Sequence, residues 1–223
     1  MFAVDQTIMS DHSRGEGLVK DTPDISEFAI VCVGGSAGSL DAYKRFLENL
    51  PDDLGIAVVI VNHVTRSFDK LHKILPNHTT MPVVLITQGL LVQPNHVYII
   101  PAKCELHLVN TRFDLKPVSK PKGWPDVITI FFRSLAQHWR GKVIAVIVSG
   151  LDGDGAAAMG DVKSVGGITF VQTPETAEWS DMPEDAIKTG YVDYILSAGN
   201  IALEIAEIVA GGNTPGRDEL RES

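Results

Sequence analysis

Three short stretches of the chain hold the residue types needed to split an acyl bond. Gly34-Gly35-Ser36-Ala37-Gly38 sets a hydroxyl among glycines, and Gly34-x-Ser36-x-Gly38 fits the tight strand-to-helix turn that exposes a nucleophilic serine. Asn62-His63 supplies an imidazole, and Ser149-Gly150-Leu151-Asp152-Gly153-Asp154-Gly155 supplies carboxylates. A serine hydroxyl is a poor nucleophile at neutral pH and needs a base to take its proton. A carboxylate must then orient the imidazole and stabilise its charged form. Ser36, His63 and Asp154 fill these roles, with Asp152 the nearby rival for the acid. A serine at the start of a helix also lies near backbone N–H groups that can receive a developing oxyanion.

The placement of these stretches gives the combination its weight. Phe28–Val33, Ile56–Val61 and Val143–Val148 are unbroken apolar runs rich in β-branched residues, the pattern of strands buried on both faces. Each candidate stretch follows directly on one such run. Ser39–Leu50 carries Leu40, Tyr43, Phe46, Leu47 and Leu50 at helical spacing. Further strands are expected at Val83–Ile86 and Ile168–Val171, and helices at Asp126–Trp139, Gly155–Val165, Glu184–Lys188 and Asn200–Val209. Ser67 would cap a short helix carrying Leu71, Ile74 and Leu75. Between Gly89 and Leu115, short pieces around Pro94-Asn95, Pro101 and Asn110 predict antiparallel strands over VYII, ELHLV and FDLKPV, added as an antiparallel edge. The fold class expected is α/β: a doubly wound, mostly parallel sheet with helices on both faces and an antiparallel hairpin insert. In such a sheet ligands collect outside the carboxyl ends of the strands, where the three stretches fall. Residues 1–26 read as a flexible leader, 27–210 as the catalytic domain and 211–223 as a flexible tail.

Composition narrows the function class. Of 223 residues 44% are hydrophobic and 21% charged, which suits one globular domain. No stretch approaches the roughly 20 apolar residues of a membrane span, so no membrane insertion is expected. A net charge of -9 argues against a nucleic-acid surface. Two distant cysteines, Cys32 and Cys104, argue against a disulfide scaffold and suit a reducing cytoplasm.

Competing readings fit less well. A dinucleotide-binding loop would need glycine where Ser36 stands and an acid where Asn62-His63 stands. An ordinary α/β-hydrolase runs serine, acid, histidine in chain order, whereas the order here is Ser36, His63, Asp154. Asp152-x-Asp154-Gly155 resembles the opening of a calcium loop but runs on into Ala156-Ala157-Ala158. His72, His78, His96, His107 and His138 show no metal-ligand spacing, so neither metal nor organic cofactor is expected. Trp139 reads as core packing. Trp124 and Trp179 could line a binding surface, and Trp179–Pro183 reads as a substrate-contact loop.

The segments VCVGGSAGSLDAYKRFL, VNHVTRSF, VYIIPA, VIVSGLDGDGAAAM and MPEDAI resemble, in that order, the catalytic domain of the chemotaxis receptor methylesterase (CheB) family. The resemblance spans about Ile30 to Val209. It implies a doubly wound α/β fold and hydrolysis of glutamate γ-methyl esters on chemoreceptors, with glutamine deamidation in some members. By motif position Ser36 is the implied nucleophile, His63 the base and Asp154 the acid. The backbone at Ala37 and Leu151 would lie near the oxyanion, with Asp152 and Met182 on the substrate side.

This chain departs from the family pattern at several points. Asp152 stands where glycine is frequent, Val64 where proline is usual, Ser39 where glycine is frequent, and Pro125–Thr129 where the family has an Arg-Pro-Ser-x-Asp segment. The leader is too short for the receiver domain that chemotaxis members commonly carry. Regulation would then come from a separate receiver protein, or the chain is a stand-alone member or an excised fragment. The expected partner is a methylated chemoreceptor or related signalling protein. The alternative is a catalytically degenerate member that only binds such proteins.

Overall fold

The computed structural model describes residues 28–63, 70–119 and 125–211. Its centre is a seven-stranded parallel sheet. The strands are β1 (Ile30–Gly35), β2 (Ala57–Asn62), β3 (Val83–Leu85), β4 (His96–Ile99), β7 (Val143–Ile147), β8 (Ile168–Gln172) and β9 (Tyr194–Leu196), in the order β3-β4-β2-β1-β7-β8-β9. The chain starts at the middle with β1, winds outward through β2 and β4 with β3 at the edge, then returns to β7 on the other side of β1. That reversal makes the carboxyl end of β1 the switch point of the sheet.

The unbroken apolar runs have a simple cause. In β1, Ile30 and Cys32 face one core while Val31 and Val33 face the other. The same alternation holds in β7, with Val143, Ala145 and Ile147 on the first face and Ile144 and Val146 on the second, and it continues into Val148 just beyond the strand. Successive side chains in a strand point to opposite faces, so a strand covered on both sides must be apolar at every position. Helix α3 (Val127–His138), α4 (Met159–Ser164) and α5 (Asp181–Lys188) cover the first face. Helix α1 (Ser39–Asn49), α2 (Leu71–Ile74) and α6 (Ala198–Gly211) cover the second. Among the described residues no helix is long and apolar enough to cross a membrane.

Two expectations are corrected. VYII does not form an antiparallel piece: β4 lies inside the parallel sheet, with Val97 opposite Val58 and Tyr98 opposite Val59. Its continuous apolar character is that of the other buried strands. ELHLV and FDLKPV do pair antiparallel, as β5 (Cys104–Val109) and β6 (Arg112–Pro117), but they form a separate two-stranded sheet and not an edge of the large one. That hairpin buries Leu106, Leu108 and Phe113 in the core shared with α3, and the Leu108 amide donates to Ser134 Oγ at 2.8 Å. Two smaller differences concern α5 and β9. Helix α5 begins at Asp181, ahead of Glu184, because Pro183 falls in its first turn where no backbone N–H is required. The edge strand β9 is not evident from the sequence because it is short, with Ile195 exposed and Tyr194 and Leu196 only partly buried. Ser67, the leader and residues 212–223 lie outside the described residues.

Candidate active site

Ser36 follows β1, His63 follows β2, and Asp154 lies in the loop after β7, so three neighbouring strand tips deliver the three groups to one rim. Ser36 Oγ is 3.2 Å from His63 Nδ1, and His63 Nε2 is 2.8 Å from Asp154 Oδ2. The side chains of His63 and Asp154 are only 2% and 3% exposed, so this contact operates largely out of water. Ser36, too, is buried.

The turn that holds Ser36 depends on small residues. A Cβ on Gly35 would come within 2.6 Å of Tyr43 Oη and 2.8 Å of Val148 Cγ2. Gly38, the residue ahead of α1, sits at φ +70, where side chains are strained, and a Cβ there would meet Ser149 Oγ at 2.8 Å. Ser36 N donates to Ser149 O at 2.9 Å, and Ser39 Oγ donates to Ser36 O at 2.6 Å. Asn62, at the end of β2, donates its amide to Ser39 Oγ and Tyr43 Oη, each at 3.0 Å. The Ser36 turn and the strand leading to His63 are thereby tied together by a buried polar chain. Ser39 has work here that a glycine at that position could not do.

Asp154 is fixed by α3. The Ile128 and Thr129 amides, free at the N-terminal end of that helix, donate to Oδ2 at 2.8 Å and Oδ1 at 2.9 Å. Orphan N–H groups and the helix dipole both favour a carboxylate at this point. Thr129 Oγ1 in turn accepts from Gly155 N at 2.8 Å. The Pro125–Thr129 segment therefore cradles the acid with backbone, a role that its side-chain types did not announce.

Asp152 stands on the opposite side of the imidazole. Its Oδ2 lies 3.0 Å from His63 Nδ1, and its Oδ1 accepts the Asp154 amide at 3.0 Å. Burial alone would push the His63 pKa down, but hydrogen bonds and charge from Asp152 and Asp154 outweigh it and raise it to about 9. Cys32, on β1, is fully buried, and burial followed by the charge of Asp154 pushes its thiol well up, which leaves it inert.

The remaining candidates divide. Leu151 and Trp179 are 45% and 44% exposed, and Gly150 N donates to Trp179 O at 3.1 Å, so both flank the loop beside Ser36. Ala37 lies next to Ser36, and its carbonyl accepts Ser149 Oγ at 2.9 Å. Met182 was expected on the substrate side. It is fully buried beneath Gly150, and its amide donates to the Gly150 carbonyl at 3.0 Å, so it supports the loop from inside and has no surface to offer a substrate. Trp139 packs in the core, its ring edge-on to Phe28 at 5.1 Å. Trp124 lies outside the described residues.

Chemically, the arrangement can pass a proton from Ser36 Oγ to His63 Nδ1 while Nε2–H stays on Asp154, which is the requirement of acyl transfer. Comparisons with known proteins point the same way. A family model described as CheB methylesterase matches residues 31–205. A Burkholderia pseudomallei (strain 1710b) protein named protein-glutamate methylesterase/protein-glutamine glutaminase 2 is 31% identical over 183 residues, covering 81% of this chain and 53% of that protein. A Rhizobium meliloti (strain 1021) protein named for the same two activities is 27% identical, covering 91% of this chain and 58% of its own length. The chain thus spans about half the length of these curated relatives. The crystal structure of the Thermotoga maritima CheB methylesterase catalytic domain superposes with a TM-score of 0.75 at 29% identity, covering 82% of this chain and 99% of that one. With its fold, its rim of three strand tips and its matched residues all in agreement, this chain belongs to the CheB methylesterase family.

Proposed function

We propose that this protein is a protein-glutamate methylesterase acting on methylated chemoreceptors or related signalling proteins in the cytoplasm. The observation that carries the reading is the continuous contact from Ser36 Oγ through the His63 ring to Asp154, at 3.2 and 2.8 Å. Ser36 Oγ attacks the γ-ester carbonyl carbon while His63 Nδ1 takes the hydroxyl proton. Collapse of the tetrahedral intermediate expels methoxide, which leaves as methanol with that proton. Water, deprotonated by the same nitrogen, then attacks the glutamyl-serine ester; the acyl–Oγ bond breaks, Ser36 Oγ takes the proton back from His63, and a free glutamate side chain is released and ionises. Asp154 keeps Nε2 protonated and balances the charge that builds on the ring. The backbone around Ala37 and Leu151 is the proposed oxyanion site, and the exposed Leu151 and Trp179 side chains form an apolar rim for the stem of the substrate residue. No metal or organic cofactor enters any step.

An amide carbonyl can follow the same route, with ammonia leaving in place of methanol, so glutamine deamidation belongs to the proposal. A degenerate, binding-only role is not favoured, because the three groups stay in register for transfer. The test is methanol release from a methylated receptor by wild type and Ser36→Ala. The expected result is loss of essentially all enzymatic release in the variant; equal rates would overturn the assignment. A separate receiver protein as regulator is a further part of this reading, tested by whether adding one changes the rate.

A further inference from the structure

Asp152 is a group that the transfer from Ser36 to His63 does not require, yet it contacts the nitrogen that must act as base. Its Oδ2 is 3.0 Å from His63 Nδ1, while Ser36 Oγ is 3.2 Å from the same atom. A ring nitrogen carries either one lone pair or one proton. With the lone pair, Nδ1 can accept from Ser36 but faces a carboxylate oxygen with nothing between them. With the proton, the ring is a cation beside Asp152, and Nδ1 cannot take the serine proton. The two arrangements exclude each other, and the carboxylate favours the second.

Resting on the methylesterase reading, we propose that Asp152 is a positioning residue that holds His63 doubly protonated in the resting enzyme and frees it as a base only when the carboxylate leaves Nδ1 or is neutralised. Its surroundings suit a movable group. The Asp152 side chain is 20% exposed, and its Oδ2, itself buried, meets His63 Nδ1 as an ion-pair contact and has no hydrogen-bond partner among the described residues. It borders a notch of about 300 Å³ lined also by Asp126, Thr129, Arg133 and Asp154, which gives it room to turn. The nearby cation, Arg133, is already paired with Asp161 at 2.9 Å.

The other titratable groups near the ring and its partners leave the balance with the carboxylates. The loop after β7 contributes Asp152 and Asp154. Strand β1 contributes Cys32, whose thiol burial keeps neutral. Helix α1 contributes Tyr43 through Asn62, and burial likewise keeps that phenol neutral. Helix α3 places Asp126 on the notch and its amides on Asp154. With His63 raised to about 9, the charged ring is the dominant form at pH 7.

The test follows the His63 ring by NMR across pH in wild type, Asp152→Asn and Asp152→Gly, with methanol release from methylated receptor measured on the same samples. The His63 midpoint should fall by roughly 1–3 units in both variants. The pH–rate profile should move down with it, raising kcat at pH 7 roughly tenfold or more with KM little changed. An unmoved midpoint overturns the proposal, as does a moved midpoint with a rate profile that stays in place. A moved midpoint with no Ser36-dependent release in any sample supports the hold of Asp152 on His63 and overturns the methylesterase reading instead.

Discussion

His63 is bracketed by two aspartates of one loop, and they are held in opposite ways. Asp154 is almost fully buried and receives two α3 amides as well as the His63 ring. Asp152 is more exposed and is restrained by one backbone amide and by the ring itself. A carboxylate clamped by a helix N-terminus can only orient, because it has nowhere else to go. One restrained mainly by its target can also let go. Residue type is shared; the number of independent restraints separates a fixed support from an adjustable one.

Substitutions should break that comparison in a definite order. Asp154→Ala removes the orienting group and leaves buried donors from Ile128, Thr129 and His63 unmet. Methanol release should fall by roughly 10³–10⁴-fold, opposite in sign to the effect at Asp152. Equal losses at the two positions would mean that both aspartates are supports. Next comes the dependence of stability on pH. Because folding raises the His63 pKa, its contribution is fully present below the unfolded value near 6.5 and is lost as pH rises through about 9. Urea unfolding should show a decline of roughly 3 kcal/mol across that window in wild type, and a clearly smaller one in Asp152→Asn. Activity should rise over the same range as the base is freed, so stability and rate move against each other.

Smaller effects probe the supports themselves. Thr129→Val deprives the buried Gly155 amide of its acceptor and should lower unfolding stability by about 1–3 kcal/mol. A change of under 0.5 kcal/mol would show that this end of the acid loop is held by other contacts. Tyr43→Phe removes one of two acceptors for the Asn62 amide and should cost about 0.5–1.5 kcal/mol in the same measurement, with Ser36-dependent activity reduced only slightly.

Much of this was legible in the residues. The buried runs gave β1, β2 and β7 because a strand covered on both faces has no polar option, and three strand ends then fixed where Ser36, His63 and Asp154 had to meet. The direction of β4 was not legible, since a short apolar run looks alike in parallel and antiparallel pairs. The cradle around Asp154 was hidden because its donors are backbone amides, which every residue but proline carries. Asp152 was visible as an extra carboxylate, but only the loop geometry puts it on Nδ1. Met182 was misplaced for the converse reason: proximity in the chain to the rim does not say which way a helix turns its side chains.

The central place of β1 also governs when the relay can first exist. Ser36 and His63 are 27 residues apart, but His63 and Asp154 are 91 apart, and β7 must dock beside β1 to bring the latter pair together. A chain synthesised only as far as β6 lacks Asp154 and has nothing to anchor the ring's far nitrogen. The full contact from Ser36 to Asp154 therefore requires the second half of the sheet to close on the first, so turnover, if carried by these residues, would report completed long-range pairing.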